Sequence, residues 1–294
     1  MAGATSVGRR HYAQVVSGCY RLEYSHSWKI TMAAPDDAPV FSSAIYLVRL
    51  PHEGWGVSDK LADLLTEERE HYRWKATTAA VSQGNIIELE TEVARRIENL
   101  NPANASWIVR EVSRWGGNNP KALHTLASAS SEQNCTFARL IKQLLTPLSA
   151  TSALGALTKQ SGLGMVMASK IYRFCCPDVG AAVDRHSSYF FNSLPLQVEG
   201  GPVSTCTRFK RQWANGQHRA SRLAIYTDSN CEANLDEYCR AYLPALATIA
   251  ELLNSNSVRG GFLCAATKVR RRWRPADVEM ASYSWWSREV NQYR

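Results

Sequence analysis

From residue 86 onward, apolar side chains return every three or four positions over most of the chain. Leu89, Val93 and Ile97 share one face of residues 86–100, the pattern of a helix with one buried stripe. The same spacing predicts helices over 104–115, stopped by Gly116-Gly117, and over 120–129 and 135–145. Pro147 separates these from a helix over 149–160, where Leu154 and Leu157 sit three apart. Upstream, Ser58-Asp59 caps a helix running to Ala80, with Glu67-Glu68-Arg69-Glu70 as a solvated face. Downstream, Val166, Ala168, Ile171, Tyr172 and Cys175 predict another helix, and residues 234–254 a long one. The last helix, 276–292, follows Pro275, with Asp277 and Glu279 in the first turn, where the helix dipole favours acids. Trp285-Trp286 are expected to pack in the core.

Strand signals are few. Residues 40–50 are β-branched and apolar between Pro39 and Pro51, and residues 20–32 have room for a short strand. Residues 1–39 are otherwise polar and irregular, and 195–202 reads as a loop or edge element. The expected organisation is an irregular N-terminal segment, 1–55, with a β-hairpin, followed by a helical domain, 56–294. The fold class is mainly α. Short helices with short connections give an orthogonal bundle in two lobes around a cleft, not a coiled coil.

Charge adds a partner class. The net charge of +8 favours polyanions, either nucleic acid or an acidic membrane surface. The densest positive run, Lys268-Val269-Arg270-Arg271-Arg272-Trp273-Arg274, is either a phosphate grip or a solvated loop. The basic–aromatic run from His71 to Lys75 has a nucleic-acid reading and a helix-end reading. No run approaches the roughly 18 apolar residues of a membrane span, and the N-terminus lacks an apolar signal core. A cytoplasmic, nucleoid-associated protein that does not enter the membrane is expected. In a reducing compartment most of the eight cysteines are expected as buried thiols. Cys-x-x-Cys and His-Glu-x-x-His are both absent, so no structural zinc is expected.

The candidate chemistry lies between residues 160 and 186. Gly162-Leu163-Gly164 is a tight connection in which two glycines permit positive φ and leave amides uncovered. The helix that begins there presents free N–H groups suited to an anion. An ordinary turn between helices is the alternative. Pro177-Asp178 then breaks the chain, and Ala182-Val183-Asp184-Arg185-His186 leads into a helix through Tyr189, Phe190 and Phe191. Asp184 stands where an N-cap belongs.

Together these two elements resemble the helix-hairpin-helix DNA glycosylase superfamily. Gly162-Leu163-Gly164 with Ala168 matches its hairpin, and Val183-Asp184-Arg185-His186 matches its Val-Asp-Thr-His element, with fitting spacing between them. The resemblance covers residues 160–186. Gln160, Ser161 and Arg185 depart from the usual Leu, Pro and Thr. Val166 stands where bifunctional members carry a nucleophilic lysine, and valine cannot attack the sugar. Lys170 lies one turn further along the same face.

The resemblance therefore implies a monofunctional DNA N-glycosylase that flips out and excises an altered base. Asp184 would be catalytic, stabilising the oxocarbenium-like sugar and orienting water. Ser161, Gly162, Leu163, Gly164, Met165 and Lys170 would contact double-stranded DNA, and Val166 would line the pocket. A monovalent cation at the hairpin backbone is implied. Relatives hold an iron–sulfur cluster on four closely spaced cysteines. Cys231, Cys239 and Cys264 are too few and too spread, so no cluster is expected. The alternative function is a helix-hairpin-helix DNA-binding protein without catalysis.

Overall fold

The structure is a computed structural model, and it describes residues 41, 45–50, 54–72, 86–117, 120–198, 203–210, 212–213, 223–224, 231–255 and 260–292. The strand expected over 20–32 and the Arg73–Lys75 part of the basic–aromatic run lie outside them. Among the described residues the fold is mainly helical with a few short strands.

The helices are α1 Asp59–His71, α2 Ile86–Glu98, α3 Pro102–Trp115, α4 Pro120–Ala127, α5 Ser131–Leu144, α6 Pro147–Thr158, α7 Met165–Cys175, α8 Arg185–Ser193, α9 Cys231–Glu237, α10 Leu243–Ser255 and α11 Pro275–Gln292. Three starts ahead of α8 are capped as their residues dictate. Ser58 accepts from Leu61 N–H, Asn101 from Asn104 N–H and Ser130 from Gln133 N–H. The expected helix starts move by a few residues at α3, α5 and α6, because Asn101-Pro102, Ser130 and Thr146-Pro147 supply start signals upstream of the apolar stripe.

The long helix expected over 234–254 departs from regularity. Between α9 and α10, Tyr238–Tyr242 form a π-helical turn in which Leu243 N–H reaches Tyr238 O. Pro244 accounts for it: proline offers no N–H and crowds the carbonyl four residues back, and the wider turn relieves both.

Four strands, β1 Leu47–Leu50, β2 Gly54–Val57, β3 Pro195–Val198 and β4 Ser204–Thr205, form one sheet in the order β2-β1-β3-β4. β1 is antiparallel to β2 but parallel to β3, with Leu47 opposite Leu196. Among the described residues the strand signal at 40–50 is realised over Leu47–Leu50, and one of the two partners of β1, β3, lies some 150 positions away in the chain. Two further pairs, β5 Gln212–Trp213 with β6 Leu223–Ala224 and β7 Phe262–Leu263 with β8 Arg270–Arg271, are antiparallel.

The core is threaded by a chain of buried charges. Arg69 on α1 binds Asp277 on α11 at 2.8 Å, and both side chains are almost fully buried. Arg274 contacts Asp277 and Glu90, and Glu90 also binds Arg173 on α7 at 2.6 Å. Four helices are therefore joined through alternating charges, the arrangement that makes buried ions tolerable. Asp277, expected only to face the helix dipole, is instead the centre of this network. Phe262 lies 4.4 Å beneath the Arg69 guanidinium.

Candidate functional site

α6 and α7 are joined by residues 159–164. Leu163 N–H donates to Gln160 O at 3.0 Å, and Gly162 has φ +81°. A side chain at 162 would be strained by that backbone, and its Cβ would meet Ala122 O at 3.1 Å and Leu126 Cγ at 3.2 Å. Gly162 thus serves both the turn and the close approach of α4. Gly164 differs from expectation: it is extended, at φ −130°, so the positive φ belongs to one glycine of the pair. Gly164 opens α7 with no side-chain cap, which leaves the first-turn amides to other partners. Ser161 is exposed, Leu163 and Met165 are buried, and Val166 packs against the core.

Lys170 is buried and donates from Nζ to Gly116 O at the end of α3, at 2.9 Å, with the Trp115 ring 5.7 Å away. Its Cδ lies 2.9 Å from where a Cβ on residue 116 would stand, so Gly116 is what admits the chain. The ammonium is thus held at the end of α3.

The segment leading to Asp184 is held from two sides. Ser169 on α7 accepts from Val183 N–H at 3.0 Å. Tyr238 and Tyr242 donate their phenols to Ala181 O at 2.5 Å and Ala182 O at 2.7 Å. Tyr238 and Tyr242, four residues apart and so on one helical face, serve two consecutive carbonyls. Asp184 then caps α8 with a full capping box. Its Oδ1 accepts from His186 N–H at 2.8 Å and Ser187 N–H at 3.1 Å, while Asp184 N–H donates to Ser187 Oγ. Every hydrogen bond to this carboxylate goes to Oδ1; Oδ2 has none among the described residues.

α11 completes the site. The Tyr283 ring lies 5.0 Å from His186 at a steep angle, and Trp286 stacks on Tyr189 at 5.3 Å. Glu279, one turn before Tyr283, is 5% exposed. Burial pushes its carboxyl up to about 8; Asp184 adds to the shift, while Arg173, Lys170 and Arg69 oppose it. Burial also pushes the Tyr283 phenol up, with Asp184 and Glu279 adding to it. Arg173 is fully buried, and its Nε and Nη1 have no hydrogen-bond partner among the described residues. Such groups call for water or a bound polar molecule.

Ser169, Tyr238, Tyr242, Glu279 and Tyr283 were not among the candidates from the sequence. The i, i+4 pairs Tyr238–Tyr242 and Glu279–Tyr283 are visible there, but nothing local distinguishes them from surface or core positions. The basic run divides: Lys268, Arg270 and Arg272 are exposed, Trp273 is core, and Arg274 is engaged by Glu90 and Asp277. No group of three His, Cys, Asp or Glu suited to a metal occurs among the described residues, and their cysteines are free thiols. Among them no helix is long and apolar enough to cross a membrane. Comparison with protein-family models, curated proteins and solved structures finds no match.

Proposed function

We propose that the protein is a monofunctional DNA N-glycosylase of the helix-hairpin-helix class, with Asp184 as its catalytic carboxylate. The observation that carries the proposal is the division of labour within that carboxylate: Oδ1 caps α8, and Oδ2 accepts no hydrogen bond among the described residues. A cap needs one oxygen; the second remains for substrate. The Ser169–Val183 hydrogen bond holds Asp184 close to the helix that begins at the hairpin.

In this scheme the α6–α7 turn is the DNA-binding hairpin, with helices on either side forming two lobes. The uncapped first turn of α7 receives a backbone phosphate. Gln160 O and Gly164 O each accept one backbone N–H and, as carbonyls, keep a lone pair, so they fit a monovalent cation. That cation would add positive charge for the phosphate. The altered base leaves the stack for the pocket. As its bond to the sugar breaks, Asp184 stabilises the oxocarbenium-like sugar and orients the attacking water. Val166 offers no amine, and Lys170 is held on Gly116, which supports hydrolysis without a covalent enzyme–sugar intermediate. Lys268, Arg270 and Arg272 supply exposed charge for duplex DNA.

The test is base release from duplexes carrying a panel of altered bases, by wild type and Asp184→Asn, with and without hot alkali. Strand breaks that need alkali and vanish with Asn are expected. Equal DNA binding by both proteins with no release on any duplex would leave the non-catalytic DNA-binding alternative, in which Asp184 is only a cap.

A further inference from the structure

Ala181, Ala182 and Val183 belong to no helix or strand, yet all three are buried. Their peptide groups need partners that secondary structure does not supply. Gly180 N–H takes Cys176 O, just past the end of α7, at 2.7 Å. The next three residues are each held by a side chain. Tyr238 donates to Ala181 O at 2.5 Å, Tyr242 donates to Ala182 O at 2.7 Å, and Ser169 on α7 accepts from Val183 N–H at 3.0 Å. Asp184 follows directly. The hydrogen bonds of its capping box all lie within residues 184–187, so the box fixes the carboxylate on α8 alone. Where that carboxylate stands relative to α7 and the hairpin depends on the clamped segment before it.

From this arrangement we propose that Tyr238 and Tyr242 are positioning residues for Asp184. They hold residues 181 and 182 so that the free Oδ2 stands where the sugar is cleaved. The inference rests on the glycosylase reading. It assigns a task in the reaction to the irregular turn between α9 and α10, 54 to 58 positions away from Asp184 in the chain.

The two phenols suit that task. Both residues are fully buried. The Tyr238 ring stacks on Tyr242 at 5.6 Å, and Tyr242 meets Phe191 of α8 edge-on at 5.1 Å and Phe209 at 5.5 Å. A ring packed on several sides keeps one orientation, so its hydroxyl is a fixed point for the carbonyl it serves. Burial pushes both phenols well above their ordinary 10, so they remain protonated donors at neutral pH. One hydrogen bond from Ser169 would leave the segment free to pivot. Three bonds on three successive residues define its orientation as well as its place. A displacement of about 1 Å at a reacting group lowers a rate by about 100-fold. Losing one phenol should therefore appear in the chemical step. DNA affinity, drawn in this scheme from the hairpin amides and the exposed cations, should stay.

The test uses the full chain as wild type, Tyr238→Phe and Tyr242→Phe, which keep the rings and remove only the donors. Leu253→Ala, a core truncation about three turns beyond Tyr242 on α10, controls for lost stability. Single-turnover base release and duplex affinity are measured on duplexes bearing uracil, hypoxanthine, 8-oxoguanine or N7-methylguanine. Backbone hydrogen exchange over residues 181–184 is followed by mass spectrometry. Each Phe variant should release base about 10–100-fold more slowly, with affinity unchanged and exchange over 181–184 faster. Leu253→Ala should keep the wild-type rate well below its melting temperature. Wild-type rates in both Phe variants overturn the inference and leave the phenols a purely structural part. Unchanged exchange over 181–184 also overturns it, as does an equal loss of rate in Leu253→Ala. In each of those cases the glycosylase reading survives. No release by wild type from any duplex sinks that reading, and this inference with it.

Discussion

Ser169 Oγ accepts the Val183 backbone N–H at 3.0 Å and donates to Val166 O at 2.8 Å. One buried hydroxyl thus links the first turn of α7 to the residue before Asp184. Ser169→Ala leaves the Val183 amide without a partner. A loss of about 1–3 kcal/mol is expected, measured by urea denaturation. Ser169→Thr should recover part of it if the methyl is accommodated.

The Arg69–Asp277–Arg274–Glu90–Arg173 network predicts acid sensitivity. Burial alone would raise the Asp277 pKa, but Arg274 and Arg69 outweigh it and hold the carboxyl at about 2, below its ordinary 3.8. Glu90 is also held below its ordinary value, Arg173 and Arg274 overcoming its burial. A carboxylate with a depressed folded-state pKa contributes stability that is complete above its unfolded value. That contribution is lost as pH falls through the folded value. Stability should therefore decline between about pH 4 and pH 2, followed by circular dichroism in urea. Asp277→Ala should cost about 3–5 kcal/mol at neutral pH, because Arg69 and Arg274 would lose a buried counter-charge.

Gly162→Ala should lower stability by about 1–2 kcal/mol for the left-handed backbone alone, with contact against Ala122 O adding to it. Gly164→Ala, at an extended position, lacks the φ penalty. A thermal melt of the two variants should show the larger fall for Gly162.

Lys170 should not form a Schiff base with an abasic sugar, because its Nζ is held on Gly116 O within a buried setting. Borohydride treatment of the protein with an abasic duplex should trap no covalent adduct. A trapped adduct that disappears in Lys170→Met would overturn the monofunctional assignment.

Lys268, Arg270 and Arg272 are predicted to contact phosphates. Replacing each with Ala should weaken duplex binding regardless of sequence and reduce the salt slope by about one for each phosphate no longer neutralised. Fluorescence anisotropy across a salt series reads this directly. An unchanged slope would return the run to a solvated loop.

The helices were largely legible because their signals are local. Ser58, Asn101-Pro102, Pro147 and Pro275 mark starts, and the apolar stripes mark the buried faces. Asp184 could be seen as a cap because a cap is a matter of adjacent residues. The π-helical turn was missed, although Pro244 marked its place, since periodicity alone averages over one inserted residue. Lys170 lies one turn from Val166 by helical spacing, which does not show that a carbonyl at the end of α3 captures its ammonium. Glu279 was assigned to a helix dipole when its surroundings come from α1, α7, α8 and the π-helical turn.

The amino-acid order by itself determined which stretches are helical, that residues 160–164 must turn, and that Asp184 must cap α8, because each depends on interactions within a few residues. The tertiary structure alone decided that β1 pairs with β3, that Arg69 meets Asp277, and that the Asp184 charge acts on Glu279. Those pairings join residues 95 to 208 positions apart. Their energies come from burial and charge compensation between elements, which no local pattern encodes.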